Sequence, residues 1–352
     1  MKQWDMLGAG FRCNNGFDIH RCIIYSFPID SNECYRMSFM RILVTGAAGC
    51  IGANLAHKLK ALGHEVSMID RFSDYYSVEF KTARVQKLNL LKEIQVLDLN
   101  IPGALDQFSN KGIETVVHLA GQPGIRVPYP EKLNYLSDNL NTFNNVISWA
   151  LKNDVEKFLY ASSSSVYENA RTKPFIESEI LLPPSNLYPF SKWTNEHIAN
   201  SLIEDCEMKI SGLRFFSVYG PYGRPDMAIH RLIEAACTEK SFNLNGDGDI
   251  ERDFTFIDDV TDRILTLIGY EGPLDKIYNI GGGSNVSMNT LIRVVENTVG
   301  KNISIQKKPR FSADLQSTLA NNSRINDLHN STIWTSIEAG IAKTFDWYKV
   351  SN

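Results

Sequence analysis

The 352-residue sequence lacks any uninterrupted apolar stretch near the roughly 20 residues that span a bilayer, so membrane insertion is not expected. It also lacks a charge excess. Thirty-six Lys and Arg against 40 Asp and Glu leave −4, which gives no general attraction to nucleic acid, and any anionic ligand needs a local site. The six cysteines include no C-x-x-C pair and no Cys/His set at zinc spacing, so no metal centre is expected and the chain reads as one of a reducing, cytoplasmic compartment. Internal repeats are likewise missing. What is present is 43% apolar residues over a length suited to one large domain or two fused ones, enough for a substantial core.

Residues 1–39 stand apart as a leader. Their apolar run from Cys22 to Ile29 is broken by Pro28 and followed by Asp30 and Glu33, unlike a signal or transit peptide. Met37 and Met40 precede the first strong strand, so either the working chain begins at one of them or the leader is an extension covering a surface or partner.

From Arg41 onward strand-like and helix-like patterns alternate. Strands are expected at 41–45, 65–69, 94–97, 115–119, 157–160 and 209–215, with helices at 51–62, 132–152 and 189–204. Strands apolar throughout, separated by helices, imply a doubly wound parallel sheet covered on both faces. After Phe216 the regularity weakens into loops, two more helices, a strand at 276–280 and a terminal helix near 336–348. That part is expected to form a smaller α/β lobe over the strand ends, where ligands of open α/β sheets bind.

Gly46-Ala-Ala-Gly49-Cys50-Ile51-Gly52 follows the first strand and opens the first helix, so its backbone N–H groups and the positive helix end can meet a pyrophosphate. Asp70 closes the second strand, at the distance expected of a carboxylate that binds the adenosine ribose hydroxyls. A 2′-phosphate there meets like charge, which favours NAD over NADP, with Arg71 the neighbouring cation that offsets some of the repulsion. Asp98 and Leu99 at the third strand end, and Ala120-Gly121-Gln122 after the fourth, are further cofactor candidates; for Asp98 an ordinary turn role competes. Tyr188 and Lys192 are four apart at a helix start with Pro189 in the first turn, so they share a face. An ammonium beside a phenol stabilises the phenolate and brings it toward general-base use. The serine run 162–165, after the fifth strand, can supply a hydroxyl bridging Tyr188 and a sugar hydroxyl.

Over residues 40 to 350 the sequence resembles the extended short-chain dehydrogenase/reductases of the nucleotide-sugar epimerase and dehydratase group. The motifs that carry this are Thr45-Gly-Ala-Ala-Gly-Cys-Ile-Gly52, His118-Leu-Ala-Gly-Gln122, Tyr160-Ala-Ser-Ser-Ser-Ser-Val-Tyr167, Tyr188-Pro-Phe-Ser-Lys192 and Arg252-Asp-Phe-Thr-Phe-Ile-Asp-Asp259. Within that group, Asp74-Tyr-Tyr-Ser77, Gly124-Ile-Arg126 and the stretch from Leu213 to Met227 are most similar to the UDP-glucuronate 4-epimerases and related capsule-polysaccharide enzymes.

The resemblance implies a Rossmann-type NAD-binding domain at 40–214, a lobe at 215–352 that mainly binds the nucleotide sugar with segments interleaved, and a homodimer. By motif position it implies Ser163, Tyr188 and Lys192 as catalytic residues. NAD would lie against Gly46, Gly49, Cys50, Ile51, Gly52, Asp70, Asp98, Leu99, Ala120, Gly121, Gln122, Tyr188 and Lys192. Ser164, Ser165, Ser217 and Arg224 would surround a hexose carboxylate, and Arg252 the UDP diphosphate. Arg224 also has a physical rationale, since a guanidinium binds a carboxylate bidentately; a salt bridge to Asp226 is the competing reading, disfavoured in so Gly- and Pro-rich a loop. The chain departs from the pattern at Glu168, where a glycine is usual, at Val127-Pro-Tyr-Pro130, and at Lys308-Pro-Arg-Phe-Ser-Ala-Asp314, which leaves Arg310 and Asp314 as the diphosphate or ribose contacts there. A dehydratase needs an Asp-Glu pair and a decarboxylating relative a Glu where Ser164 and Ser165 stand, so both reactions are disfavoured. The remaining alternatives are a 4-epimerase of a neutral UDP-hexose or UDP-N-acetylhexosamine and a noncatalytic NAD-binding regulatory protein.

Overall fold

A computed structural model describes residues 39–109, 111–310, 315–329 and 331–351. The leader at 1–39 lies outside them except for Phe39.

Strands β1 (Arg41–Thr45), β2 (Glu65–Asp70), β3 (Ile94–Val96), β4 (Thr115–His118), β5 (Lys157–Ser163), β6 (Lys209–Phe215) and, from the second half of the chain, β10 (Ile277–Ile280) form one seven-stranded sheet. Its order is β10-β6-β5-β4-β1-β2-β3, and every pairing is parallel. Because alternate residues of a strand face opposite sides, β1 sends Ile42 and Val44 into one core and Leu43 into another. The first core holds Leu55 and Leu59 of α1 (Cys50–Ala61), Val85 of α2 (Val78–Lys87), Ile264 of α6 (Ile257–Gly269) and Ile325 of α8 (Ser323–His329). The second packs Phe143 and Ile147 of α3 (Thr142–Lys152) and Ala199 of α4 (Leu187–Leu202) against Val116, Phe158 and Ile210. Buried on both faces, the central strands β1, β4 and β5 read as nearly continuous apolar runs, as expected of a parallel sheet. The strand order reverses between β1 and β4, so their carboxyl ends diverge into a crevice.

The second half is more regular than its sequence suggests. It adds β7 (Ser217–Tyr219), β8 (Phe242–Asn245), β9 (Glu251–Phe256), β11 (Asn285–Ser287) and β12 (Ile305–Lys308), with α5 (Ala228–Thr238), α7 (Met288–Val299) and α9 (Ile337–Ser351). These make a three-stranded sheet, β11-β9-β7, and a parallel pair, β12-β8, around a third core that includes Leu232, Ile257, Leu291 and Ile341.

The helix expected over 132–152 is present with its pitch varied: the backbone is helical from Glu131 to Lys152, as a short 3-10 turn at Glu131–Leu133, a π-helical stretch at Leu136–Asn141 and then α3. The wider turn accompanies side-chain competition with the backbone, for Thr142 Oγ1 donates to the Asp138 carbonyl at 2.6 Å. Helix α2 was not expected; its start is capped by Ser77, whose Oγ accepts from the Phe80 N–H at 3.1 Å.

Candidate functional site

The crevice at the β1/β4 switch point opens into a cavity of about 590 Å³ whose wall takes residues from both halves of the chain, from Gly46 and Asp70 to Ser217, Arg224, Asn243 and Arg252.

On its floor lies the glycine loop. Gly46 has φ +71°, and a Cβ there would stand 2.7 Å from the Ala120 nitrogen; a Cβ on Gly52 would stand 2.2 Å from the Gly46 carbonyl oxygen. Only glycine allows this close turn. Gly49 is the N-cap of helix α1 and offers no side-chain cap, and the first turn has no acidic residue, so the leading N–H groups and positive end are available to a phosphate. Asp70 is fixed at the rim: its two carboxylate oxygens accept from the Ala48 N–H at 2.9 Å and the Phe72 N–H at 2.7 Å. Arg71 is turned to other carboxylates, donating to Asp138 at 2.7 Å and lying 3.6 Å from Asp98. Buried Lys81 donates to the Ser73 hydroxyl at 3.0 Å. Asp70 is thus held as an acceptor at the rim while Arg71 is engaged by Asp98 and Asp138, an arrangement that suits the two free hydroxyls of NAD better than a 2′-phosphate. Asp98 also takes the turn role, its Oδ1 accepting from the Asn100 N–H at 2.9 Å. Cys50, Ile51, Leu99, Ala120, Gly121 and Gln122 all line the same cavity. The loop geometry, uncapped helix end and acidic rim fit a bound dinucleotide.

Tyr188 and Lys192 rise from the first turns of α4, which Asn186 caps by accepting from the Tyr188 N–H at 3.0 Å. Lys192 is buried and donates to the Ala161 carbonyl on β5 at 3.0 Å; burial pushes its pKa down to about 8. Two residues further along β5 stands Ser163. Its Oγ lies 2.8 Å from Ser165 Oγ and accepts from the Ser165 N–H at 3.2 Å. Burial raises the Tyr188 pKa, while a hydrogen bond with Ser163 and the positive charge of Arg224 work to lower it. Tyr188 and Ser163 therefore meet where β5 ends, and Lys192 is held on the same strand two residues back, all three in the wall of one cavity.

Ser164, Ser165, Ser217, Arg224 and Arg252 line the cavity as well. Arg224 corrects an expectation, because the loop curls back and pairs it with Asp226: Nε to Oδ1 at 3.0 Å and Nη2 to Oδ2 at 2.5 Å. Its Nη2 also lies 3.4 Å from the Tyr75 hydroxyl. Arg252 donates to the Glu251 and Leu315 carbonyls, each at 2.8 Å. Arg310 stands exposed after β12, beside Gly246 and outside the cavity wall. Asp314 lies outside the described residues. Glu168 lines the cavity and accepts from the Ser185 hydroxyl at 2.5 Å.

Three supporting groups have no local sequence signal. Buried Asn139 accepts from the Gln122 N–H at 2.7 Å and donates to Ser191 Oγ at 2.9 Å, tying the turn after β4 to α4. Glu196 accepts from Ser162 Oγ at 2.5 Å and pairs bidentately with Arg214 at 2.9 and 2.7 Å, which fixes the end of β5 from behind. Arg84 of α2 is buried and donates to the Ala48 carbonyl at 2.6 Å, the Tyr76 hydroxyl at 2.7 Å, and the carbonyls of Tyr222 at 2.7 Å and Gly223 at 3.3 Å. One guanidinium thus joins the glycine loop to the loop that carries Arg224.

Residues 42–281 match the family model described as the NAD dependent epimerase/dehydratase family. Among curated proteins, the chain is 33% identical over 336 residues to Protein CapI of Staphylococcus aureus, covering 88% of this chain and 98% of that one. It is 33% identical over 314 residues to the UDP-glucuronate 4-epimerase of Thermodesulfobacterium geofontis, covering 87% and 95%. Among solved structures, the UDP-glucuronic acid 4-epimerase of Bacillus cereus in complex with UDP-glucuronic acid and NAD superposes with a TM-score of 0.82 at 29% identity, covering 89% of this chain and all of that one.

Proposed function

The chain belongs to the NAD dependent epimerase/dehydratase family, and from that premise we propose that it is an NAD-dependent UDP-sugar 4-epimerase that converts UDP-glucuronate to UDP-galacturonate. The observation that carries the substrate reading is Arg224. Its guanidinium lines the same cavity as Tyr188 and Ser163. A uronic acid bears its carboxylate on the carbon next to C4, so a C4 hydroxyl presented to Tyr188 brings that carboxylate to the Arg224 side of the site.

Tyr188 takes the C4 hydroxyl proton, with the Ser163 hydroxyl bridging the two oxygens and buried Lys192 supplying positive charge nearby. NAD, when bound, supplies the reversible two-electron acceptor for C4, so no external oxidant is consumed. The 4-keto sugar turns over within the cavity, and Tyr188 returns its proton as the opposite face of C4 is reduced. For a uronic acid this intermediate is a β-keto acid, which loses CO2 when its carboxylate bond aligns with the carbonyl π system. Arg224, with Ser164, Ser165 and Ser217, holds the carboxylate plane away from that alignment.

The family pattern supports residues 40–214 as the cofactor-binding part and 215–352 as mainly nucleotide-sugar-binding, with Arg252 toward the diphosphate. It also supports a cytoplasmic homodimer working in polysaccharide synthesis. No described helix is long and apolar enough to cross a membrane.

Arg224→Ala tests the substrate reading. Loss of a bidentate charged pair is expected to raise KM for UDP-glucuronate by on the order of 10- to 100-fold, with UDP-pentose and CO2 appearing beside the epimer in NMR. KM for UDP-glucose should change far less. Equal effects on both substrates, with no UDP-pentose, would remove the carboxylate role.

A further inference from the structure

The guanidinium assigned to the substrate's carboxylate already holds one. Arg224 meets Asp226 fork to fork, Nε on one carboxylate oxygen at 3.0 Å and Nη2 on the other at 2.5 Å. This is the arrangement a uronate would make with the same two nitrogens. A second carboxylate cannot use that edge while Asp226 occupies it, whereas a neutral hexose leaves the pair undisturbed. Asp226 is the more accessible partner, its side chain 39% exposed against 21% for Arg224, so the carboxylate has a way out toward water while the guanidinium stays over the Tyr75 ring.

We propose that Asp226 is a specificity-determining residue: an internal carboxylate that occupies Arg224 until the substrate's carboxylate displaces it. This rests on the uronate reading above and adds two consequences to it. The affinity for UDP-glucuronate is reduced by the fraction of time Arg224 spends on Asp226, because only the open form is competent to bind. The pair also keeps a cation in a partly desolvated site from collecting small anions, since free carboxylates lack the nucleotide and sugar contacts needed to displace Asp226.

The test compares wild type, Asp226→Asn and Asp226→Ser with UDP-glucuronate and with UDP-glucose, and adds acetate as an inhibitor in both series. A partly exposed pair is worth up to about 1 kcal/mol, so KM for UDP-glucuronate is expected to fall by about fivefold in both variants. The kcat/KM ratio of UDP-glucuronate to UDP-glucose should rise with it, and acetate should inhibit the variants competitively at concentrations that leave wild type unaffected. The serine variant guards against a misfolded asparagine variant. An unchanged or raised KM for UDP-glucuronate, with acetate sensitivity like wild type, overturns the proposal. If wild type converts UDP-glucose but never UDP-glucuronate, the substrate reading fails and the specificity role fails with it. Acetate inhibition of UDP-glucose turnover distinguishes that result from one in which Asp226 does not shield Arg224 at all.

Discussion

Tyr188→Phe is expected to lower kcat for UDP-glucuronate by about 10²- to 10⁴-fold, the usual worth of a positioned general base, while the protein folds and melts as wild type does. The phenolic oxygen faces Ser163 and the cavity, whereas the ring packs against Tyr135 with centroids 5.6 Å apart, and phenylalanine keeps that packing. Substitution therefore removes the group that exchanges a proton with the sugar and little else. Retained NAD and a nearly unchanged Kd for UDP, beside the lost turnover, would separate chemistry from binding. A loss of less than tenfold in kcat would mean that another group carries the proton.

Arg84→Met has the largest expected effect on stability. Methionine keeps much of the volume but leaves the carbonyls of Ala48, Tyr222 and Gly223 without their donor in a buried place. At roughly 1–3 kcal/mol for each unsatisfied group, a loss of about 3 kcal/mol or more follows. Tyr222 has φ +60°, a conformation bulky residues seldom adopt, and Arg84 holds its carbonyl there. Release of that turn moves Arg224, so the variant should also bind NAD and UDP-glucuronate more weakly. Denaturant unfolding and retained cofactor measure the two effects; a variant with wild-type unfolding and full NAD content would remove Arg84 from this role.

The first half of the fold was legible because its central buried parallel strands leave nearly continuous apolar runs and the glycine loop marks where β1 turns into α1. The second half was less so. Its strands are short and paired across distance: β12, Ile305-Gln-Lys-Lys308, is largely exposed and finds its partner in β8 about sixty residues earlier. Helix α2 carries few apolar residues, and much of what anchors it is tertiary, through Arg84 to Tyr222 and Gly223.

The site divides along the same line. Gly46 to Gly52, the serine run and the Tyr188/Lys192 pair are local patterns on single elements, and the structure brings them to one cavity. Asn139, Glu196, Arg214 and Arg84 act through partners 8 to 139 residues away, most of them on other elements, and leave no spacing to read. Arg224 falls between these cases. Its place in the cavity followed from its motif, but its partner did not, because a two-residue return to Asp226 depends on how the Gly- and Pro-rich loop curls. Arg310 shows the limit of carrying a role by position, since the segment departs from the family pattern and the side chain stands outside the wall.

The measurement that tests the account most directly is proton NMR of the purified protein with UDP-glucuronate and no added reductant. The account predicts an equilibrium mixture with UDP-galacturonate, no UDP-pentose and no net reduction of cofactor. Conversion of UDP-glucose alone under the same conditions, or no change at C4 by a protein that retains NAD, would contradict it.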